Sequence, residues 1–142
     1  MLEINIVNKS KHRLPEYETA GAAGMDIKAN IDEPIKLYAH DSIIIPTGLY
    51  ISIPNGYEAT IRSRSGLAFK YDIVAFHGLI DADYRGEIKV KLFNLSKNDF
   101  LIHPGERIAQ LKIAKVEKVK WNEVKELDTT ERGHGGFGST DK

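Results

Sequence analysis

The stretch GEIKVKLFNLS, residues 86–96, decides the fold class. Ile88, Val90, Leu92 and, by continuation, Asn94 fall on one side of an extended chain, while Lys89, Lys91 and Phe93 fall on the other. A period of two marks a strand with one face in a core and one toward water. Wound as a helix, the same residues would spread lysine and apolar groups around the whole circumference.

Outward from this strand the chain repeats its character in short runs. Leu2, Ile4 and Ile6 alternate with Glu3 and Asn5. SIIIPTGLYISIP (42–54) is isoleucine-rich and interrupted by Pro46 and Gly48; residues 57–61 and 107–116 are further strand candidates. Pro54-Asn55-Gly56, Lys97-Asn98-Asp99 and His103-Pro104-Gly105 are turn signals between them. Only SGLAFK (65–70) reads as helix, for a turn or two. Many short strands with almost no helix predict an all-β sandwich or barrel. GLIDADYRGE (78–87) reads as a hairpin with a polar tip. In GERIAQLKI (105–113), strict alternation puts Ile108 and Gln110 on one face and Arg107, Ala109 and Leu111 on the other. Trp121 is expected in the core. The apolar pattern stops after Leu127, so residues 1–127 are expected to form the β domain and 128–142 a flexible arm.

Composition narrows the function. At 142 residues this is one domain with enough chain for a core. Lys plus Arg and Asp plus Glu both number 20, a formal net charge of zero, so no broad attraction to nucleic acid is expected. There is no cysteine, which excludes disulfides and thiol nucleophiles. The opening MLEINIVNKS is too polar for a signal peptide and no apolar run approaches membrane-spanning length. A cytoplasmic protein with no membrane partner is the expectation, a nuclear location also being open. The histidines at 12, 40, 77, 103 and 134 lack metal-ligand spacing, and no G-x-S-x-G nucleophile signature occurs.

Five stretches offer chemistry, each with a plainer alternative. Asp81 follows Leu79 and Ile80 directly, so its carboxylate starts where burial ends and can orient a water as general base; Tyr84, three residues on, can lie flat against a ring. The alternative is an ordinary turn. In RSRSGLA (62–68), a helix start exposes N–H groups beside Arg64 and Ser65, a combination suited to phosphate; alternatively Ser65 is an N-cap. Asp26, among the small residues of AGAAGMDIKA (20–29), reads either as close backbone packing or as a carboxylate near hydrated Mg²⁺. Gln110 is an edge residue or a ligand contact. RGHGGFGST (132–140) has glycine N–H groups able to line an anion nest, with Arg132, Ser139 and Thr140 to close over phosphates and Phe137 to lie on a base; otherwise it is a disordered terminus.

Taken in order, AGMD (23–26), RSGLA (64–68), GLIDADYRGE (78–87), GERIAQL (105–111) and RGHGGFGST (132–140) resemble the trimeric deoxyuridine triphosphate nucleotidohydrolases, the dUTPases, over nearly the whole chain. The resemblance implies a distorted jelly-roll subunit in a homotrimer. Each of its three active sites would be shared by all three subunits, the C-terminal arm of one closing over its neighbours. It implies hydrolysis of dUTP to dUMP and diphosphate by water attack on the α-phosphorus, limiting uracil incorporation into DNA and supplying dUMP for thymidylate synthesis. By the same resemblance Asp81 is the catalytic base and Tyr84 packs under the deoxyribose. The backbone around Gly78, Leu79 and Ile80 and at Ile88 and Lys89 reads the uracil edge. Arg64, Ser65, Gly66 and Gln110 bind phosphate, and Asp26 meets a Mg²⁺ cofactor through water. Arg132, Ser139 and Thr140 hold the β- and γ-phosphates, Phe137 stacks on uracil, and Gly138 joins the same substrate-binding set.

The chain departs from the family pattern at Phe76 and His77, where many members carry small residues, Pro or Asn, and at His134 in the arm. Three alternatives stand beside the main reading: a dCTP deaminase of the same fold, a catalytically inactive nucleotide-binding regulator, and a plain β-sandwich interaction module.

Overall fold

The computed structural model describes residues 1–141. Lys142, the last residue of the expected arm, lies outside the described residues. Strands β1 (Asn5–Asn8), β2 (Met25–Lys28), β3 (Ile35–Leu37), β4 (Ser42–Pro46), β5 (Leu49–Ser52) and β6 (Tyr57–Arg62) lead to helix α1 (Ser65–Tyr71). Strands β7 (Ile73–Ala75), β8 (Leu79–Ile80), β9 (Lys89–Asn94), β10 (Phe100–Ile102) and β11 (Arg107–Lys115) follow. The ladders are antiparallel and run in the orders β2-β11-β6-β8, β4-β9-β7, β1-β5 and β10-β3. Consecutive strands change sheets repeatedly, and the molecule is the distorted jelly roll that the resemblance implied.

Strand β9 behaves as its sequence demands. Ile88, Val90, Leu92 and Asn94 are all buried, and Lys89 and Lys91 are exposed. Burial of Asn94 is offset by a full set of partners. Its Nδ2 donates to the carbonyls of Leu37 and Asn98, and its Oδ1 accepts from the N–H and hydroxyl of Ser96. The turn out of β9 is thus organised by a side chain the strand period had aimed inward.

The break at Pro46-Thr47-Gly48 separates β4 from β5 and makes a rigid corner. Gly48 has φ +70°, and a Cβ there would sit 2.9 Å from both Asn30 Nδ2 and the Ser10 nitrogen, so no side chain fits. Thr47 is buried, donates its hydroxyl to the Ile88 carbonyl at 2.5 Å and accepts the Leu49 N–H at 3.2 Å.

Three expectations are corrected. GLIDADYRGE does not close into a hairpin: β8 pairs with β6, while β9 pairs with β4 and β7. Ile80 and Ile88 both turn into the core, and the chain between them crosses from one sheet to the other. The strict alternation read into GERIAQL also fails. A register shift between Arg107 and Ala109, where β11 meets β2, lets Ile108 and Ala109 both be buried. Finally, Trp121 is 88% exposed. Among the described residues, regular structure ends with β11 at Lys115, and Val119, Val124 and Leu127 are exposed beyond it.

Candidate active site

The crossing from β8 to β9 leaves a pocket of about 250 Å³ lined by segments 78–81 and 87–89 together with Ile61 and Tyr84. Ile80 is anchored in the core opposite Ala59, so the next residue, Asp81, emerges at the rim with its side chain exposed. None of the ion pairs among the described residues uses its carboxylate. The loop is tied to itself. Tyr84 N–H donates to the Asp81 carbonyl at 3.2 Å, and Arg85 Nη1 donates to the carbonyls of Ala82 and Tyr84 at 2.7 and 3.0 Å. The Tyr84 hydroxyl donates to the Glu87 carbonyl at 2.8 Å, laying the phenol across Gly86, where a Cβ would overlap it. A side chain at position 86 would push the Tyr84 ring from this position.

The pocket gathers Gly78, Leu79, Ile80, Asp81, Tyr84, Ile88 and Lys89, all expected from the sequence. Two of them have their backbone groups engaged. Gly78 donates to Phe76 and accepts from Ile61, and Ile88 donates to Leu49 and accepts from Thr47. A ligand contact at either carbonyl would use its second lone pair. Phe76 and His77, where the chain departs from the family pattern, are exposed and do not line the pocket.

A second cluster forms around Asp26 on β2, which is 9% exposed. Arg64 Nε lies 3.3 Å from its Oδ1 and Arg107 Nη1 3.1 Å from its Oδ2; Gln110 Nε2 donates to Oδ1 at 3.3 Å. Arg64 Nη1 also donates to the Arg107 carbonyl at 3.2 Å. Arg107 was not singled out from the sequence, and the register shift explains why. Residues three apart on a regular strand face opposite ways, but the irregularity at 107–109 lets Arg107 and Gln110 both reach Asp26.

Beside the cluster, Arg64 itself is the N-cap of α1, with no side-chain capping bond. Ser65 is thus the first helical residue rather than the cap, and Ser65 and Gly66 are both exposed. The first N–H groups of this short helix have no partner within it.

The carboxylate of Asp26 has about four acceptor positions; two accept hydrogen bonds, from Arg107 and Gln110, and Arg64 Nε stands at ion-pair distance. Direct coordination of Mg²⁺ between two guanidinium groups does not fit, whereas one water-mediated contact does. Among the described residues no group of three or more His, Cys, Asp or Glu could hold a metal ion.

In the arm, Arg132 Nε donates to the Gly135 carbonyl at 2.8 Å, and Gly133 and Gly138 take positive φ, as does Phe137 at +50°. Arg132, Phe137, Gly138, Ser139 and Thr140 are all exposed, and none of them lines the pocket or touches Asp26 among the described residues. The pocket and the Asp26 cluster are separated as well. Ile80 opposes Ala59 on β6 while Gln110 opposes Arg62, which puts Asp81 and Gln110 on the order of 15 Å apart at ordinary strand spacings.

Comparison with known proteins adds to this geometry. A family profile described as dUTPase matches residues 10–141. The chain is 48% identical to the deoxyuridine 5'-triphosphate nucleotidohydrolase of Fusobacterium nucleatum subsp. nucleatum, covering 99% of this chain and 98% of the relative. It is 53% identical to the protein of that name from Chlamydia muridarum, over 93% of each. Among solved structures, the Staphylococcus bacteriophage 80alpha dUTPase with dUPNHPP superposes with a TM-score of 0.84 at 29% identity, covering all of both chains. A mutant dUTPase of phage phi11 of S. aureus, described with a structural Mg(II) ion, gives 0.79 at 26% identity over 88% of this chain and 98% of that one.

Proposed function

The chain belongs to the dUTPase family, and from that premise we propose how its residues divide the work of a dUTP diphosphatase. The reaction is hydrolysis of dUTP to dUMP and diphosphate. The pocket between β8 and β9 holds the deoxyuridine. Asp81, free at the rim, orients a water toward the α-phosphorus and takes its proton; the bond to the diphosphate leaving group breaks on the opposite side. The Tyr84 ring lies beneath the sugar, where a 2′-hydroxyl would be crowded. Backbone groups of 78–80 and 88–89 meet the uracil edge, and cytosine would leave donors and acceptors mismatched there.

Arg64, Ser65, the N–H of Gly66 and Gln110 bind the phosphate chain, with Asp26 holding Arg64 and Gln110 in place. Mg²⁺ carried by the triphosphate supplies charge neutralisation, and the free acceptor position on Asp26 suits a water of its shell. Arg132, Ser139 and Thr140 then close over the outer phosphates, with Phe137 on the base and Gly138 allowing the bend, so that bulk water is excluded during attack.

The observation that carries this reading is the separation of the two clusters. One chain holds the base and the nucleoside pocket in one place and the proposed phosphate ligands in another, the Asp81 and Gln110 backbones standing on the order of 15 Å apart. We therefore read the active enzyme as a homotrimer in which each site draws on neighbouring subunits, the arm among them. Apolar side chains left exposed on the single chain, including Trp121, agree with further burial on assembly. We also read it as a cytoplasmic enzyme acting on free nucleotide. The names of the curated relatives favour hydrolysis over dCTP deamination or a non-catalytic role.

Complementation tests the sharing of sites. Asp81→Asn and Arg64→Ala subunits, each inactive alone, are unfolded and reassembled together at equal ratio. If the two residues come from different subunits, about a quarter of the sites regain both, and diphosphate release from dUTP recovers to about that fraction. No recovery in mixed trimers would place both groups on one subunit and sink the shared-site reading.

A further inference from the structure

We propose that Glu87 is a positioning residue for sugar discrimination, clamping the Tyr84 loop to the β4–β5 corner. The inference rests on reading the β8–β9 pocket as the nucleoside site. Glu87 is half-buried and acts at both ends. Its carboxylate Oε2 accepts the Gly48 N–H at 3.1 Å, and its carbonyl accepts the Tyr84 hydroxyl at 2.8 Å. A chain of contacts therefore runs from a rigid corner, through one residue, to the ring that lies beneath the sugar.

The corner end of this strut cannot yield. Gly48 is buried in a left-handed conformation that admits no side chain, and its N–H points at Glu87. Removing the carboxylate would leave a buried donor unpaired, so the loop would have to shift or admit water. The following residue is already fixed, since Ile88 donates to the Leu49 carbonyl at 2.8 Å and accepts from Thr47 at 2.5 Å. The slack would therefore appear upstream, at Gly86 and Tyr84. Discrimination against a 2′-hydroxyl depends on close crowding by the ring, so it suffers first, while Asp81, though its carbonyl accepts the Tyr84 N–H, follows directly on anchored Ile80.

The test measures kcat/KM for dUTP and for UTP in wild type, Glu87→Ala, Glu87→Gln and Tyr84→Phe, with melting temperatures alongside. Glu87→Ala is expected to lower the dUTP-to-UTP preference about tenfold, mostly by improved use of UTP. Glu87→Gln keeps an acceptor for the Gly48 N–H and should stay within about twofold of wild type. Tyr84→Phe keeps the ring but cuts the link to Glu87, and should lower the preference about threefold even if Glu87→Ala folds poorly. An unchanged preference in Tyr84→Phe, or in folded Glu87→Ala, overturns the proposal. So does equal damage in Gln and Ala variants, which would mean that charge and not the hydrogen bond matters. A wild-type enzyme with no preference for dUTP over UTP would instead defeat the reading of the pocket itself.

Discussion

Asp26 lies on β2 with both carboxylate oxygens held, between two guanidinium groups and the amide of Gln110; Asp81 stands on the pocket rim with its carboxylate open. The chemistry of the two side chains is identical, and their surroundings assign them different work. A carboxylate that is buried and engaged through both oxygens by two guanidinium groups and an amide can hold neighbours in place but is poorly open to a reacting water. One with free positions can bind that water, but contributes little to the fold. The residues around each differ accordingly: Asp26 joins β2, β11 and the start of α1, whereas Asp81 is positioned by the backbone on either side of it.

The sharpest way to break this contrast is Asp81→Asn. It should lower kcat by about 10³–10⁴-fold while dUTP still binds and the melting temperature holds. Loss of nucleotide binding, measured by calorimetry, would make Asp81 an anchor like Asp26. Removal of residues 132–142 comes next, with an intact fold and turnover reduced on the order of 10²-fold. Full activity in the truncated protein would mean that the pocket and the Asp26 cluster suffice without a cover. Asp26→Ala should show the opposite signature to Asp81→Asn. Its KM for dUTP should rise roughly tenfold, and chemical denaturation should show a loss of roughly 2–3 kcal/mol, below the figure for a fully buried pair because Arg107 is half-exposed. A stability unchanged by Asp26→Ala would remove the anchor from the comparison. The smallest effect is expected for Arg107→Gln, at about 1 kcal/mol and a severalfold rise in KM. A loss as large as that of Asp26→Ala would show that this one ion pair carries the cluster.

How much of this was legible follows from range. The inward face of β9 and the break at Pro46-Gly48 are marked by residues within a few positions of one another, the first by alternation and the second by a proline and a glycine, although distant partners complete both the corner and the turn at Asn94. Gly78–Asp81, Tyr84, Ile88 and Lys89 converge on one pocket because they flank one crossing. Arg107 stayed hidden because its direction depends on an irregularity where β11 meets β2. Thr47, Gly86 and Glu87 stayed hidden because each matters through a partner, and a threonine, a glycine or a glutamate carries no mark of what it will touch. Trp121 was misread for a related reason: a large apolar residue belongs in some core, but the sequence does not say whose.

Sequence alone determined that this chain is all-β and that β9 alternates between core and solvent, and it marked five short stretches as candidates for chemistry, because backbone period and turn composition are local properties. Tertiary structure alone decided that the GLIDADYRGE segment bridges two sheets instead of folding back, that Asp26 is an anchor and Asp81 is free, and that the pocket and the Asp26 cluster stand apart on one chain. Those outcomes depend on which strands become neighbours, and neighbours are chosen by the burial of many distant side chains at once.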